Sequence, residues 1–340
     1  MQTLLTIVVP VYKVEKYINK CLDSCILYNS DGSLDEEKTN QLEVIIINDG
    51  TPDQSAELSR QYVLRHPKIF RQIDKKNGGH GSAWNVGLKE ATGKYIRFLD
   101  SDDWLLNLSK LLDNLNDCDA DVVFTDYIRV NEQTGDEDYR SIHSQSGETL
   151  TLSKEMLLNQ DESFFILNFW HTTYKTSILQ PQWPLFEEHV MYDDSILGLA
   201  PLLYGRTYLY LNFPLYHYLV GRTGQTMDVK VIARNINSYV HCYDRQLNWM
   251  KSPLVKSMPL DLQECTQYAV RRYAQMVFCN LPRLPYKDAK RLMPNYYDYG
   301  FRSNNDFRGK IVRRYEKLPF PLFYIIEHFR FIYRNISNQS

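Results

Sequence analysis

Tyr95-Ile96-Arg97-Phe98-Leu99-Asp100-Ser101-Asp102-Asp103-Trp104 is the stretch on which the reading of this chain turns. A short, mostly apolar run follows Gly93 and stops at three acids. Such a run reads as a buried strand. Asp100, Asp102 and Asp103 then sit at the strand's carboxyl end, where open α/β sheets hold their ligands. Carboxylates packed this closely repel one another unless a cation lies between them, and oxygen ligands of this kind suit Mg²⁺ or Mn²⁺. Asp-x-Asp recurs at Asp117/Asp119, Asp119/Asp121 and Asp136/Asp138, but in polar runs that read as solvated turns. The competing reading of Asp100–Asp103 is an acidic loop capping a helix that starts near Leu105.

Upstream, residues 4–11 are β-branched and almost wholly apolar, which predicts a central parallel strand stopped by Pro10. Residues 42–47 and 69–73 read as two more strands, with helices over 15–28, 55–66 and 82–91 between them. Each strand runs into turn residues. Asn48-Asp49-Gly50-Thr51-Pro52-Asp53 follows the second, and Asn77-Gly78-Gly79-His80-Gly81-Ser82 follows the third, where glycines let backbone approach a ligand. The alternation predicts an α/β fold: a right-handed, doubly wound, mostly parallel sheet flanked by helices. The first strand lacks Gly-x-Gly-x-x-Gly and the chain lacks a phosphate loop ending in Gly-Lys-Ser/Thr, so neither a dinucleotide fold nor NTP hydrolysis is expected.

Downstream, the pattern predicts a helix over 105–116 and strands at 121–125, 127–130, 207–211 and 216–220. Residues 132–148 are charged and turn-rich, a surface excursion. Residues 164–175 mix aromatics with Trp170 and His171. Met191-Tyr192-Asp193-Asp194 precedes an apolar helix, which places Asp194 at a helix N-terminus. From Asp228 the pattern is helical and broken by prolines. These readings divide the chain into an α/β domain over 1–225, with halves of about 1–105 and 106–225, and a helical extension over 226–340.

The chain has 340 residues, a net charge of −2 and 44% hydrophobic residues, enough for a sizeable core and two domains. The near-neutral balance gives no case for nucleic acid. Six cysteines without a Cys-x-x-Cys pair read as reduced core thiols, not as zinc ligands. The first residues do not pattern as a signal peptide, and no apolar run reaches the ~20 residues of a membrane span. The expected location is cytoplasmic.

These motifs together resemble a bacterial family-2 glycosyltransferase of the GT-A fold. Ile7-Val8-Val9-Pro10-Val11-Tyr12 resembles that family's first strand, and Asn48–Asp53 its Asp-Asp-Gly-Ser-x-Asp turn. Residues 77–87 resemble its Asn-x-Gly…Arg-Asn-x-Gly segment, Leu99–Asp103 its metal motif, and Tyr192-Asp193-Asp194 its later Glu-Asp pair. The match is dense over 4–105 and thinner to about 226. Asn48 stands in place of the first turn Asp, Asp193 in place of Glu, and Trp84 where Arg usually precedes Asn85, which removes one diphosphate cation.

The resemblance implies an inverting, nucleotide-sugar-dependent enzyme using Mn²⁺ or Mg²⁺ and a UDP-sugar. Its acceptor is a glycan, lipid-linked or glycoprotein hydroxyl, in surface polysaccharide or protein glycan synthesis. Pro10, Val11 and Tyr12 would frame the base, Asp49 would accept from uracil, and Asn77 and Gly78 would line the nucleotide. Asp100 and Ser101 would lie at the ribose, and Asp102 would bind the metal. Asp194 would be the general base, with Asp193 as the alternative. Each has a plainer structural reading, an Asx turn for Asp49 and a helix-capping acid for Asp194. Arg222, between Gly221 and Gly224, would bring a cation to the diphosphate on a closing loop. Trp104, Trp170 and His171 would flank an acceptor sugar. The rivals are a sugar-nucleotide nucleotidyltransferase and a non-catalytic binding module. The tail over 310–334 combines basic and apolar residues, as an interfacial helix does; the alternative is packing on the domain or on a second subunit in a homo-oligomer.

Overall fold

A computed structural model describes residues 3–141, 147–152, 168–222, 225–226, 229–297 and 307–337. Parts of three expected segments (142–146 of the charged excursion, 164–167 of the aromatic run, Thr223 and Gly224 of the glycine loop) lie outside the described residues. The chain forms two compact units, Met1–Arg222 and Thr223–Ser340.

The first unit is built on one ten-stranded sheet. Its first half is parallel, in the order β3 (Phe70–Asp74), β2 (Leu42–Asn48), β1 (Leu5–Val11), β4 (Tyr95–Phe98). β1 is buried along its whole length, as a strand covered on both faces must be. Pro10 does not stop it. β1 runs on to Val11 with Pro10 opposite Ile47, while pairing with β4 already ends at Val8–Phe98, so the missing N–H breaks no bond on that side. Helices α1 (Ile18–Asp23), α2 (Ser55–Arg65) and α3 (His80–Glu90) connect the strands. Gly87 lets α3 lie close on β1: a Cβ there would come 2.2 Å from Val8 Cγ1.

The second half of the sheet is mixed. β9 (Thr172–Lys175) runs antiparallel to both β4 and β6 (Val122–Asn131), and β10 (Thr207–Val220) is parallel to β6. Two pairs of expected strands are single strands here. β10 passes through Pro214 with shifts of register on either side, which absorb the residue that cannot donate. The helix expected from Leu105 begins only at Leu108 (α4, Leu108–Leu115), because Trp104 and Leu105 form β5 against Tyr216 and His217 of β10. Two short strands, β7 (Glu137–Arg140) and β8 (Thr149–Thr151), pair at the side. α5 (Asp194–Tyr204) is apolar almost all round and buried from Ser195 to Leu203.

The second unit is helical: α6 (Ile236–Lys251), α7 (Leu260–Asn280), α8 (Tyr286–Tyr297), α9 (Phe307–Lys317) and α10 (Phe320–Ser337), with short helical turns between. Aromatic rings fill it, among them Tyr239 stacked on Tyr273 and Phe278 edge-on to Tyr315. Among the described residues no helix is long and apolar enough to cross a membrane. All six cysteines are free, and five are buried.

Candidate active site

The carboxyl ends of β1, β2 and β4 lie side by side, so Val11, Asn48 and the residues after Phe98 meet at one edge of the sheet. Asn48 makes the turn itself: its Oδ1 accepts from Thr51 N (3.0 Å) and its Nδ2 donates to Asp74 (2.9 Å). The next residue, Asp49, is 3% exposed and gathers the loop after β3. Its Oδ1 accepts from Lys75 Nζ (2.6 Å) and Gly78 N (2.9 Å), its Oδ2 from Asn77 Nδ2 (3.0 Å) and Gly79 N (2.8 Å). A carboxylate offers about four acceptor sites, and all are taken. A base ring reaching Asp49 must therefore displace one of these donors. Beside it Pro10, Val11 and Gly78 are buried, while Asn77 is exposed and Tyr12 presents a ring that is 43% exposed.

After β4, one oxygen each of Asp100, Asp102 and Asp103 lies within 4.8 Å of the others. Asp103 is spent on the fold: it accepts from Tyr216 Oη (2.7 Å) and Leu219 N (2.8 Å), tying the motif to β10. Burial, then the charges of Asp102 and Asp100, push its carboxyl well above the usual range. Burial and Asp100 also raise Asp102, against the opposing pull of Arg222, whose Nη2 lies 2.5 Å from Asp102 Oδ2. Ser101 is buried between them. Carboxylates held this close are what a dication relieves, so Asp102, raised as it is, and Asp100 beside it fit a hard, oxygen-preferring metal.

The other acids arrive from α5. Asp194 is its first residue, half-buried, and burial followed by the neighbouring Asp193 pushes its carboxyl up to about 7, with His80 pulling the other way. Asp193 is 2% exposed, and its buried Oδ2 has no hydrogen-bond partner. Position 81 must be glycine for this approach, since a Cβ there would sit 1.8 Å from Asp193 Oδ2. Asn85 holds the approach to α5: its Oδ1 accepts from Leu185 N and Phe186 N, and its Nδ2 donates to Phe186 O.

His80 joins the two groups of acids. Its Nε2 lies 2.9 Å from Asp100 Oδ1 and its Nδ1 3.6 Å from Asp193 Oδ1. Burial disfavours its charged form, but Asp100 and Asp193 together outweigh that and raise the imidazole well above its ordinary value. The sequence hides this role, because a histidine among glycines reads as part of a turn. A second residue missed is Arg97. Fully buried in β4, it donates to Thr173 Oγ1 (2.9 Å) and to the carbonyl of Trp170, and lies 5.6 Å over the Tyr216 ring. Burial lowers it to about 10. A lone cation inside an apolar strand is the signal that pointed to it.

Two expectations about aromatics need correction. His171 is fully buried beside Phe124 and Tyr127, out of an acceptor's reach. Trp104 is stacked on His217 with Lys20 Nζ 3.2 Å over its ring, so its surface is already used. Trp170 stacks on Tyr218 and stays half-buried. Trp84 is wholly buried among Phe98, Phe169 and Phe186, its ring 4.0 Å from that of His80.

The sequence model described as Glycosyl transferase family 2 matches residues 6–180. The chain belongs to that family. It is 28% identical to glycosyltransferase GlyA of Streptococcus pneumoniae over 64% of its own length and 30% of GlyA's. It is 30% identical to the uncharacterized glycosyltransferase EpsJ of Bacillus subtilis over 64% of its length and 61% of EpsJ's. The chain thus spans less than two thirds of these relatives. Among solved structures it is similar to S. aureus TarS 1–349 in complex with UDP-GlcNAc, with a TM-score of 0.56 and 18% identity over 93% of this chain and 92% of that one. It is also similar to the Pyrobaculum calidifontis mannosyltransferase PcManGT in complex with GDP-Man and Mn²⁺, with a TM-score of 0.53 and 14% identity over 100% of this chain and 89% of that one. At these identities the likeness shows the fold alone, which is the GT-A type. This family-2 glycosyltransferase has the mixed α/β sheet and helical C-terminal region expected of it.

Proposed function

We propose that this glycosyltransferase moves a sugar from a UDP-sugar to a hydroxyl of a glycan, lipid-linked or glycoprotein acceptor, with inversion and with help from Mn²⁺ or Mg²⁺, in surface polysaccharide or protein glycan synthesis. One observation carries the reading: the Asp100–Asp102 pair and the Asp193–Asp194 pair face one histidine from two different elements. The bound UDP-GlcNAc of TarS, the Mn²⁺ of PcManGT and the teichoic acid polymerase among the relatives support donor, metal and pathway class.

Each residue's part follows from chemistry. Tyr12 offers a stacking face to the base, above Pro10 and Val11. Asp49 shapes the loop in which Asn77 and Gly78 line the nucleotide, and hands one acceptor site to uracil when a donor such as Lys75 leaves it. Asp100 and Ser101 meet the ribose. Asp102 holds the metal, which when bound neutralises charge growing on the departing diphosphate. Arg222 moves from Asp102 to the diphosphate and supplies the cation that Trp84 does not. Asp194, with its carboxyl near 7, takes the acceptor hydroxyl's proton as that oxygen attacks the anomeric carbon. Asp193 raises that carboxyl and His80 tempers the rise. Attack opposite the leaving group inverts the anomeric centre. A screen of UDP- and GDP-sugars for nucleotide release, with Mn²⁺ and with EDTA, tests the proposal. Release only from UDP-sugars and only with metal supports it; full turnover in EDTA, or a preference for GDP-sugars, sinks it.

A further inference from the structure

The helical unit ends in two helices whose outward faces are of opposite kinds. On α9, Lys310, Arg313, Arg314 and Lys317 follow helical spacing along one face, while Ile311 and Val312 are buried on the other. The four cations and Leu318 line a shallow cleft of about 280 Å³. On α10 the usual order is reversed. Phe323 and Glu327 are buried and Tyr324 Oη donates to Leu284 O, whereas Leu322, Ile325 and Phe329 are 47%, 51% and 63% exposed. Their spacing of three and four places them in one line along the solvent side.

The two faces are joined at Glu327. It pairs with Arg314 from α9, and Arg330, next to the apolar line, lies 3.8 Å from the same carboxylate oxygen. Glu327 lies on the buried side of α10, so these pairs tie α9 to α10 from beneath and leave the basic face and the apolar line both turned outward. Between 310 and 330 there are five Lys/Arg against two acids, Glu316 and Glu327. An apolar line bordered by cations suits a surface that is apolar beneath and anionic on top. A second copy of this chain suits it less well, because it would cover the apolar line but bring no anions to the cations beside it.

We propose that α9 and α10 form a docking surface for a membrane rich in anionic phospholipid. The cleft at Lys310, Arg313, Arg314 and Lys317 takes headgroup phosphates, and Leu322, Ile325 and Phe329 enter the interfacial layer. The element lies on the bilayer and does not cross it. This inference does not depend on which donor the active site takes.

The test is co-sedimentation of the full chain with phosphatidylcholine vesicles and with vesicles that also contain phosphatidylglycerol, at low and high salt. Binding is expected only with phosphatidylglycerol and only at low salt. Lys310→Glu and Arg313→Glu should each weaken it by about fivefold or more. Ile325→Ser/Phe329→Ser should weaken it as well, while UDP binding and melting temperature stay unchanged because both side chains are exposed. A chain that stays in the supernatant with both vesicle types overturns the proposal. So does equal binding to both, or an Ile325→Ser/Phe329→Ser variant that loses self-association in light scattering yet keeps vesicle binding.

Discussion

Asp49 and Asp193 are buried to the same degree, 3% and 2% exposed, yet their surroundings are opposite. Asp49 accepts from four donors supplied by one loop. Asp193 keeps an oxygen with no partner, at a spot where even a methyl group does not fit. Burying a carboxylate is costly unless hydrogen bonds replace water. At Asp49 the chain meets that cost itself, so this loop is folded before any ligand arrives. At Asp193 it does not, and next to it burial and the Asp193 charge raise the carboxyl of Asp194. The lesson is that the loop around Asp49 is built for shape, while Asp193 and Asp194 are left with the charge cost that chemistry can use.

The contrast can be broken at four points. The largest effect is expected at Asp102→Asn, which removes the charged ligand that Asp100 alone cannot replace; turnover should fall to background and UDP binding should lose its response to Mn²⁺ in calorimetry. Asp102→Asn turnover that still responds to Mn²⁺ would move the metal elsewhere. Next is pH. The Asp194 carboxyl sits near 7, its protonated form cannot accept a proton, and kcat should therefore fall by about tenfold for each pH unit below that value and level off above it. A flat profile at saturating donor counts against a carboxylate base. Gly81→Ala comes third. The added methyl must push Asp193 or Phe186 aside, at about 1–3 kcal/mol of stability read as a lower melting temperature, with kcat reduced more than UDP affinity. Lys75→Met should have the smallest effect. Three donors remain on Asp49, so the loop should hold, and UDP affinity should change by less than about tenfold, one charge-assisted bond being exchanged for another. Collapse of UDP binding in Lys75→Met would mean that the donor side is less self-sufficient than its hydrogen bonds indicate.

In the first half of the sheet, β1, β2 and β4 were legible because they are parallel and buried, so they read as mostly apolar runs ending in polar turns, whereas β3 at the sheet edge is half-exposed and mixed in sequence. Asp100, Asp102 and Asp103 were legible for the same reason, as acids at the end of such a run, and Asp193 and Asp194 as acids opening an apolar helix. The second half was harder. β10 looked like two strands because Asn212-Phe213-Pro214 resembles a break, and only the shifted pairing with β6 reveals continuity. Leu105 looked like a helix start because nothing local announces that it pairs, with Trp104, against β10. His80 and Arg97 owe their roles to residues far along the chain, Asp193 and Thr173, which no local pattern connects to them.

The central claim is the division of labour between nucleotide binding on the donor side and proton removal by Asp194. It is tested most directly by measuring UDP affinity by calorimetry, with Mn²⁺ present, and kcat with a transferable donor, both on Asp194→Asn. The account predicts UDP affinity within about twofold of wild type and kcat lower by ~10²–10⁴, the range typical for loss of a general base. Affinity that falls in step with kcat, or turnover that survives in Asp194→Asn but vanishes in Asp193→Asn, would contradict it.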